Sequence, residues 1–421
     1  MTEKKERLFR RNFTLLLLGQ TSSLLGNLTL KFALSMYVLE ITGSAAVFAG
    51  LLAAAMIPTI LLSPFGGVLA DRADRRAIMV ILDALSGAAV LAAALLLPLG
   101  NEIPVVGTLL VMLSVLAAFE SPTVQACVPQ MLDGEAVMHG NALVGQVSSL
   151  AGLVTPFLGS LVYTAWGLTP VLYGTAVCFW ITALLESGIR LPPRPRSERM
   201  SVRRIIREDL AAGLRFLRRE EPGILRLLLL AGLVSLFAAG TVVVGFPYLV
   251  RTVLGLSAEH YGAAESAMGA AAVAGSLCAG LTARRFRPVY LAGIFFGFGV
   301  CLLAAGAVFP AGLPVFGCYL VLLAAFCACQ FGCSLFPTCA ITLIQQRTPP
   351  ELMGKIMSCV FTLSLCAQPV GQLVYGGLFD LCGARAHWVL LPSGLAVCGI
   401  GLACRRFFLA WGSGPAGRPR A

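Results

Sequence analysis

The sequence predicts an all-α membrane protein with twelve transmembrane helices in two six-helix, pseudo-symmetric halves. Three observations carry this. Of the 421 residues, 58% are hydrophobic and only 12% charged, about half the charge of a soluble domain. Bilayer rules therefore replace soluble-core rules. Twelve apolar runs lie near 13–39, 45–70, 77–99, 104–127, 139–165, 168–189, 224–250, 259–283, 288–309, 313–345, 353–380 and 384–409, each long enough for the roughly twenty residues of a span. With the N-terminus placed in the cytoplasm, 28 of the 31 Lys and Arg residues fall in cytoplasmic pieces. Only Arg251 and Arg385 fall outside, and Lys31 lies within a span. This asymmetry predicts that both termini face the cytoplasm. It also spreads the net charge of +11 along the inner leaflet, so the basic balance does not point to nucleic acid.

Taken in order, residues 1–12 are hydrophilic and basic, and the apolar stretch after them is too long for a signal peptide core, so no cleavable signal is expected. The second and third runs are joined by a short hairpin, GVLADRADRR, from Gly67 to Arg76. Gly67 has no Cβ and is expected to let two helix backbones approach closely. Arg72, Arg75 and Arg76 mark the cytoplasmic face. Asp71 does nothing for that charge rule, so it is expected to bind a neighbouring helix N-terminus or an arginine. Residues 190–223 form the longest stretch outside the membrane. Ile205, Ile206, Leu210, Leu214 and Leu217 recur there at helical spacing and predict an amphipathic helix on the inner membrane surface. The expected organisation is thus a bundle over 1–189, a linker over 190–223 and a second bundle over 224–421. Matching pairs about half a chain apart support a parallel repeat: Gly67 with Gly280, Pro122 with Pro337 and Pro156 with Pro369. Transporters built from such repeats carry the substrate site at the repeat interface.

Several polar residues sit inside the predicted spans. Gln20, Ser23, Asn27, Lys31 and Ser35 fall within roughly 120° of one another at 100° per residue, a stripe expected to face a water-filled cavity. Lys31 either holds an anionic substrate group, pairs with an acid whose protonation drives transport, or snorkels outward on its long stem. Asp83 and Glu120 share a membrane level with the hairpin arginines, so a salt-bridge latch between them is expected to close one state of a gate, or else to be a static pair. Glu265 is the favoured proton-binding acid of the second half. Glu40, Glu186 and Asp380 lie at span ends and are expected to be interfacial. In the fifth run, Asn141, Gly145, Ser148, Gly152, Thr155 and Gly159 form a face of small residues suited to close packing, and Pro156 removes one backbone hydrogen bond. The 14 cysteines lie mostly in apolar segments and read as small hydrophobes. His139, His260 and His387 lack metal-ligand spacing, and there is no phosphate-binding G-x-x-x-x-G-K-[ST] loop.

The hairpin resembles the signature G-x-L-A-D-R-x-G-R-[RK] of the major facilitator superfamily at Gly67, Leu69, Ala70, Asp71, Arg72, Arg75 and Arg76, with Asp74 in place of the second glycine. The stretches GQTSSLLGN (19–27), SPTVQACVPQML (121–132) with NAL (141–143), QQRTPPELMGKIMS (345–358) and QPVGQLVYGG (368–377) are similar to its macrolide-efflux and enterobactin-exporter-like branch. That branch commonly has an aspartate where Asn27 stands, so no proton role carries over to Asn27. The stretch AGLVTPFLGS resembles the antiporter signature G-x-x-x-G-P-x-x-G-G at Pro156 and Gly159, with Ala151, Thr155 and Ser160 as small substitutes. The resemblance implies export of hydrophobic or amphiphilic small molecules, of drug or siderophore type, by proton antiport with alternating access. It implies a multi-pass protein of the cell membrane that meets a small-molecule substrate, a coupling proton and lipid, and a monomer is expected. No enzyme activity, cofactor or metal is expected. Two rivals stay open: a proton-coupled importer of an anionic metabolite with Lys31 as its clamp, and a non-transporting membrane sensor.

Overall fold

The computed structural model describes residues 11–132, 134–191, 215–282, 287–349 and 352–412. The side chains of Asp71 and Glu135 lie outside the described residues. So does most of the expected amphipathic linker, including Ile205, Ile206, Leu210 and Leu214. Leu217 is described, and it is buried in a short helical stretch.

Twelve helices long and apolar enough to cross a membrane are found among the described residues. They are α1 (Arg11–Thr42), α2 (Ala45–Arg72), α3 (Arg75–Leu96), α4 (Glu102–Met131), α5 (Glu135–Trp166) and α6 (Leu168–Ser187), followed by α7 (Pro222–Ala238), α8 (Ala258–Thr282), α9 (Val289–Ala307), α10 (Val315–Arg347), α11 (Met353–Cys382) and α12 (His387–Gly412). The seventh span continues beyond α7 through π-helical turns at Ala239–Gly245 and Leu249–Val253. Helices are the expected solution, because each closes its own backbone hydrogen bonds where lipid offers none. Short turns join them, and glycines at positive φ stand at Gly43, Gly100, Gly134, Gly167, Gly312 and Gly383.

The chain divides into two compact units. The first comprises Met1–Ile41, Ala54–Val202 and Ser257–Ser266; the second comprises Thr42–Ala53, Arg203–Leu256 and Ala267–Ala421. The first turns of α2 thus belong with the second unit, and the first turns of α8 with the first.

In the first unit, α3 packs along α6, where Gly87 makes room for the Trp180 indole. Helix α1 lies on α6 through a polar ladder. Thr182 Oγ1 donates to the Gly19 carbonyl at 3.0 Å, Thr175 Oγ1 to the Gly26 carbonyl at 3.2 Å, and Ser22 Oγ to the Cys178 carbonyl at 3.0 Å. Small residues let these backbones come close enough for hydroxyls to reach carbonyls, which substitutes for the missing hydrophobic drive between helices in lipid. At the hairpin end, Phe13, Leu16, Met79, Val124, Cys127, Val128, Leu132 and Ile189 form a buried apolar layer.

In the second unit the corresponding pair, α9 and α12, packs through Gly299, Gly394 and Gly401, where a Cβ would meet the facing backbone. The π-helical turns after α7 set Gly240 against the Tyr375 ring and Gly245 against the Phe379 ring of α11. Asp380, at the end of α11, is not simply interfacial as expected. Its carboxylate accepts from Ser44 Oγ at 2.5 Å, the Ala45 amide at 2.6 Å and the Ala46 amide at 3.1 Å, capping the start of α2. A carboxylate satisfies otherwise unpaired N–H groups there and complements the helix dipole. Replacing Asp380 with alanine is expected to lower stability by about 1–2 kcal/mol, the usual size of a lost cap. Thermal unfolding of the purified protein in detergent measures this, and an unchanged midpoint would count against the cap.

Candidate functional site

The hairpin is held by its arginines, though not in the expected way. Arg75 is buried. Its Nε donates to the Ala70 carbonyl at 2.7 Å, and its Nη1 to the Ala126 carbonyl at 2.6 Å and Gln130 Oε1 at 3.1 Å. It thereby ties the end of α2 to α4. Arg76 donates from Nη2 to the Ser187 carbonyl, tying α3 to the end of α6. Asp74, which replaces the glycine of the signature, caps α3 by accepting from the Arg76 amide at 3.1 Å. Aspartate at that position therefore has a local reason, since it is a preferred N-cap residue. The close approach expected of Gly67 belongs to its neighbour. A Cβ on Gly66 would sit on the Ala118 carbonyl oxygen and 3.0 Å from Phe119 Cα and Pro122 Cγ, whereas one on Gly67 meets nothing within 4 Å. One residue of helical rotation, about 100°, separates the packed position from the open one.

Asp83 is turned away from the arginines. It is fully buried on α3 and lies within hydrogen-bond reach of Glu186, which is fully buried on α6. Glu186 is therefore an interior residue and not the interfacial one expected from its place near a span end. Glu120 on α4 is a near neighbour of both. Gln20 on α1 lies beside Glu186, and Glu186 also covers Gly19 of α1, its Cγ 3.5 Å from where a Cβ would stand. Four helices thus bring three carboxyl groups and an amide together in the first unit. Among the described residues no cation meets the four oxygens of Asp83 and Glu186, and the donor at hand is the neutral Gln20 amide beside Glu186.

The helix-1 stripe is divided by the fold. Ser23 is buried, and Ser35 donates to the Lys31 carbonyl of its own helix at 2.7 Å. Gln20 and Asn27 are half-buried, and Asn27 Oδ1 has no hydrogen-bond partner among the described residues. Lys31 lies deep among protein atoms yet is exposed, as a side chain lining an open space would be. Among the described residues no acid pairs with it. Glu265, on the part of α8 that clusters with the first unit, comes to the α1 side: its neighbour Tyr261 stacks on Phe32 at 5.5 Å. Glu265 is half-buried, with Oε2 unpartnered.

Helix α5 is also divided. Thr155, Pro156, Gly159 and Ser160 are buried. Gly159 rests against Thr29 and Phe32 of α1, and a Cβ on Gly262 of α8 would come within 2.7 Å of the Pro156 carbonyl. Asn141, Gly145, Ser148 and Gly152, expected to pack on the same face, are exposed instead. Gly145 and Gly152 have nothing within 4 Å of a Cβ position. Along this small-residue face, only the half that carries the antiporter-like residues meets other helices closely; the first turns of α5 pack through a different side, at Gly140.

Sequence reasoning passed over Glu186 as a site residue. A usable signal was present: Thr175, Thr182 and Glu186 recur on one face of α6 at helical spacing, and the two threonines already mark that face as the one against α1. Elsewhere, a groove of about 740 Å³ in the second unit is lined by Phe296, Phe298, Phe331 and other apolar residues, with Arg405 at its rim. It gathers none of the expected site residues.

The profile of the Major Facilitator Superfamily matches residues 16–371. The chain is 25% identical over 391 residues to macrolide efflux protein A of Streptococcus pyogenes, covering 92% of this chain and 93% of that protein. It is 26% identical over 347 residues to the enterobactin exporter EntS of Citrobacter koseri, covering 80% of this chain and 77% of that protein. Among solved structures, a bacterial homologue of the iron transporter ferroportin in its inward-facing state superposes with a TM-score of 0.71 at 18% identity, over 96% of this chain and 99% of that one. With twelve helices of spanning length, a hairpin carrying the signature arginines and a profile match over most of its length, this chain belongs to the major facilitator superfamily, a family of multi-pass membrane transporters.

Proposed function

We propose that the protein exports hydrophobic or amphiphilic small molecules, of the macrolide or siderophore type its relatives are named for, in exchange for protons. One observation carries the reading: the first unit holds polar atoms deep within apolar spans that have no hydrogen-bond partner among the described residues. They are Asn27 Oδ1 and Glu265 Oε2, in the same unit as the exposed Lys31, which no acid pairs with among the described residues. Polar groups at that depth are costly unless water, substrate or protons meet them, so they mark a transport path. Export, rather than import, is supported by the efflux-named relatives and by the antiporter-like residues Thr155, Pro156 and Gly159.

In this mechanism the protein alternates between states open to either side of the membrane. The hairpin of Gly67, Asp71, Arg72, Arg75 and Arg76 steadies one of them, with Glu120 at its level. Such a bias needs only a few kcal/mol of differential contact. Both termini lie in the cytoplasm in this reading, which the arginine and lysine asymmetry supports, and the monomer is the working unit.

Everted membrane vesicles test this reading. With a labelled macrolide and the dye ethidium as probes, vesicles carrying the protein are expected to accumulate at least one of them when energised. Accumulation should collapse on addition of an uncoupler. Accumulation that survives the uncoupler, or movement in the opposite direction with an anionic solute, would replace proton-driven export with one of its rivals.

A further inference from the structure

We infer that Asp83 and Glu186 together form a binding site for a single proton, closed at the hairpin end by an apolar layer, and that this proton is the one exchanged during transport. The second clause rests on the antiport reading above; the first does not.

The argument starts from donors and acceptors. An ionised carboxylate only accepts hydrogen bonds. Asp83 and Glu186 are both 0% exposed, and among the described residues no cation meets their four oxygens; the donor in range is the neutral Gln20 amide beside Glu186. Two buried carboxylates left in that condition face each other with like charge and without compensation, an arrangement proteins avoid. They nevertheless lie within hydrogen-bond reach of each other. One proton removes the clash of like charge: it makes one carboxyl a donor to the other and leaves a single negative charge, which the Gln20 amide helps to meet. The three carboxyls do not converge as ligands of a metal ion would, and among the described residues no group of three or more His, Cys, Asp or Glu side chains does.

The surroundings are accounted for element by element. Helix α1 presents Gln20, whose amide lies within hydrogen-bond reach of Glu186. Helix α4 presents Glu120, a third carboxyl at charge–charge range. From the hairpin, Arg75 and Arg76 are engaged with the Ala70, Ala126 and Ser187 carbonyls. Neither of them reaches the pair.

The way out is blocked. Leu16, Met79, Val124 and Ile189 each lie three or four residues toward the hairpin end from Gln20, Asp83, Glu120 and Glu186, and all four belong to one buried apolar layer. Arg76 straps α3 to α6 at the same end through Ser187. A proton on the pair therefore leaves toward the hairpin only when α3 and α6 shift enough to wet that layer. This is the property required of a coupling site, because free leakage would uncouple exchange from conformation.

Infrared difference spectroscopy of the purified protein, titrated with acid and base, tests the site. The wild type is expected to show a C=O stretch of a protonated carboxyl that is lost in both Asp83→Asn and Glu186→Gln and retained in Glu120→Gln. Absence of that band in the wild type, or its persistence in both pair variants, overturns the site. The amides keep the shape of the neutral carboxyls, and a symmetric size-exclusion peak confirms folding. If either variant fails to fold, Asp83→Glu is measured in its place; it should retain the band at a shifted frequency, and an unshifted band overturns the site.

Coupling is read separately, as ethidium-driven proton movement in proteoliposomes. Wild-type exchange that falls at least tenfold in both pair variants, with Glu120→Gln less affected, supports the role. Equal proton movement in wild type and variants overturns the assignment while leaving antiport standing. No proton movement in the wild type, with the infrared band present, overturns antiport and leaves a proton site without a coupling role.

Discussion

Replacing Gly66 with alanine is expected to destabilise the protein by roughly 1–3 kcal/mol, the range for forcing an extra methyl into a full interior, while the same change at Gly67 is expected to be silent. The contrast is geometric. At Gly66 the new Cβ collides with the Ala118 carbonyl oxygen and crowds Phe119 Cα and Pro122. Two of those obstacles are backbone, so no side chain can rotate away, and α2 must lift from α4. At Gly67 nothing stands within 4 Å of the Cβ position, and alanine is the better helix former. Because Arg75 also bridges the end of α2 to α4 through the Ala70 and Ala126 carbonyls, separation of the two helices would break those bonds as well. Thermal unfolding in detergent, with size-exclusion profiles of both variants, measures the difference. Equal midpoints for the two variants would mean that the helices do not meet where this structure has them.

Replacing Lys31 with methionine is expected to slow export by about tenfold or more, equivalent to ~1.4 kcal/mol of lost interaction in the rate-limiting step, without loss of folded protein. Methionine keeps the length and apolar stem of lysine and removes only the charge. The side chain is exposed deep within a span and has no acid partner among the described residues. Its removal therefore breaks no internal ion pair and leaves no buried carboxylate behind. Arginine at this position is expected to retain more activity than methionine, because the cation is kept. The readout is the initial rate of probe accumulation in everted vesicles at matched expression. A methionine variant with wild-type rates would make Lys31 a snorkelling residue with no part in transport.

Much of the architecture was legible without coordinates because bilayer physics leaves few options. Long apolar runs must become helices, and turn residues show where they stop. The Arg75 and Arg76 positions also announced themselves by motif. The packing register was harder to read. Gly66 and Gly67 are adjacent glycines of the same helix, and only the azimuth of α2 against α4 distinguishes the residue that touches from the one that does not. The small-residue face of α5 looked uniform from Asn141 to Gly159, yet only its last turns are covered. Glu186 illustrates the same limit. Its nearness to a span end suggested an interfacial acid, but α1 and α3 lean over that end and enclose it.

By itself, then, the sequence determined the class of molecule, its helical spans and the hairpin with its arginines, because hydropathy and charge act locally along the chain and need no neighbour to be read. The tertiary structure alone decided which polar groups meet. Asp83 and Glu186 are 103 residues apart in the chain, and nothing in either segment names the other. Their contact exists because α3 and α6 run side by side, with Gly87 letting them close and α1 seated on the adjoining Thr175–Thr182 face of α6. A partner chosen by packing has no signature in a single sequence, since what selects it is the shape of helices far away along the chain.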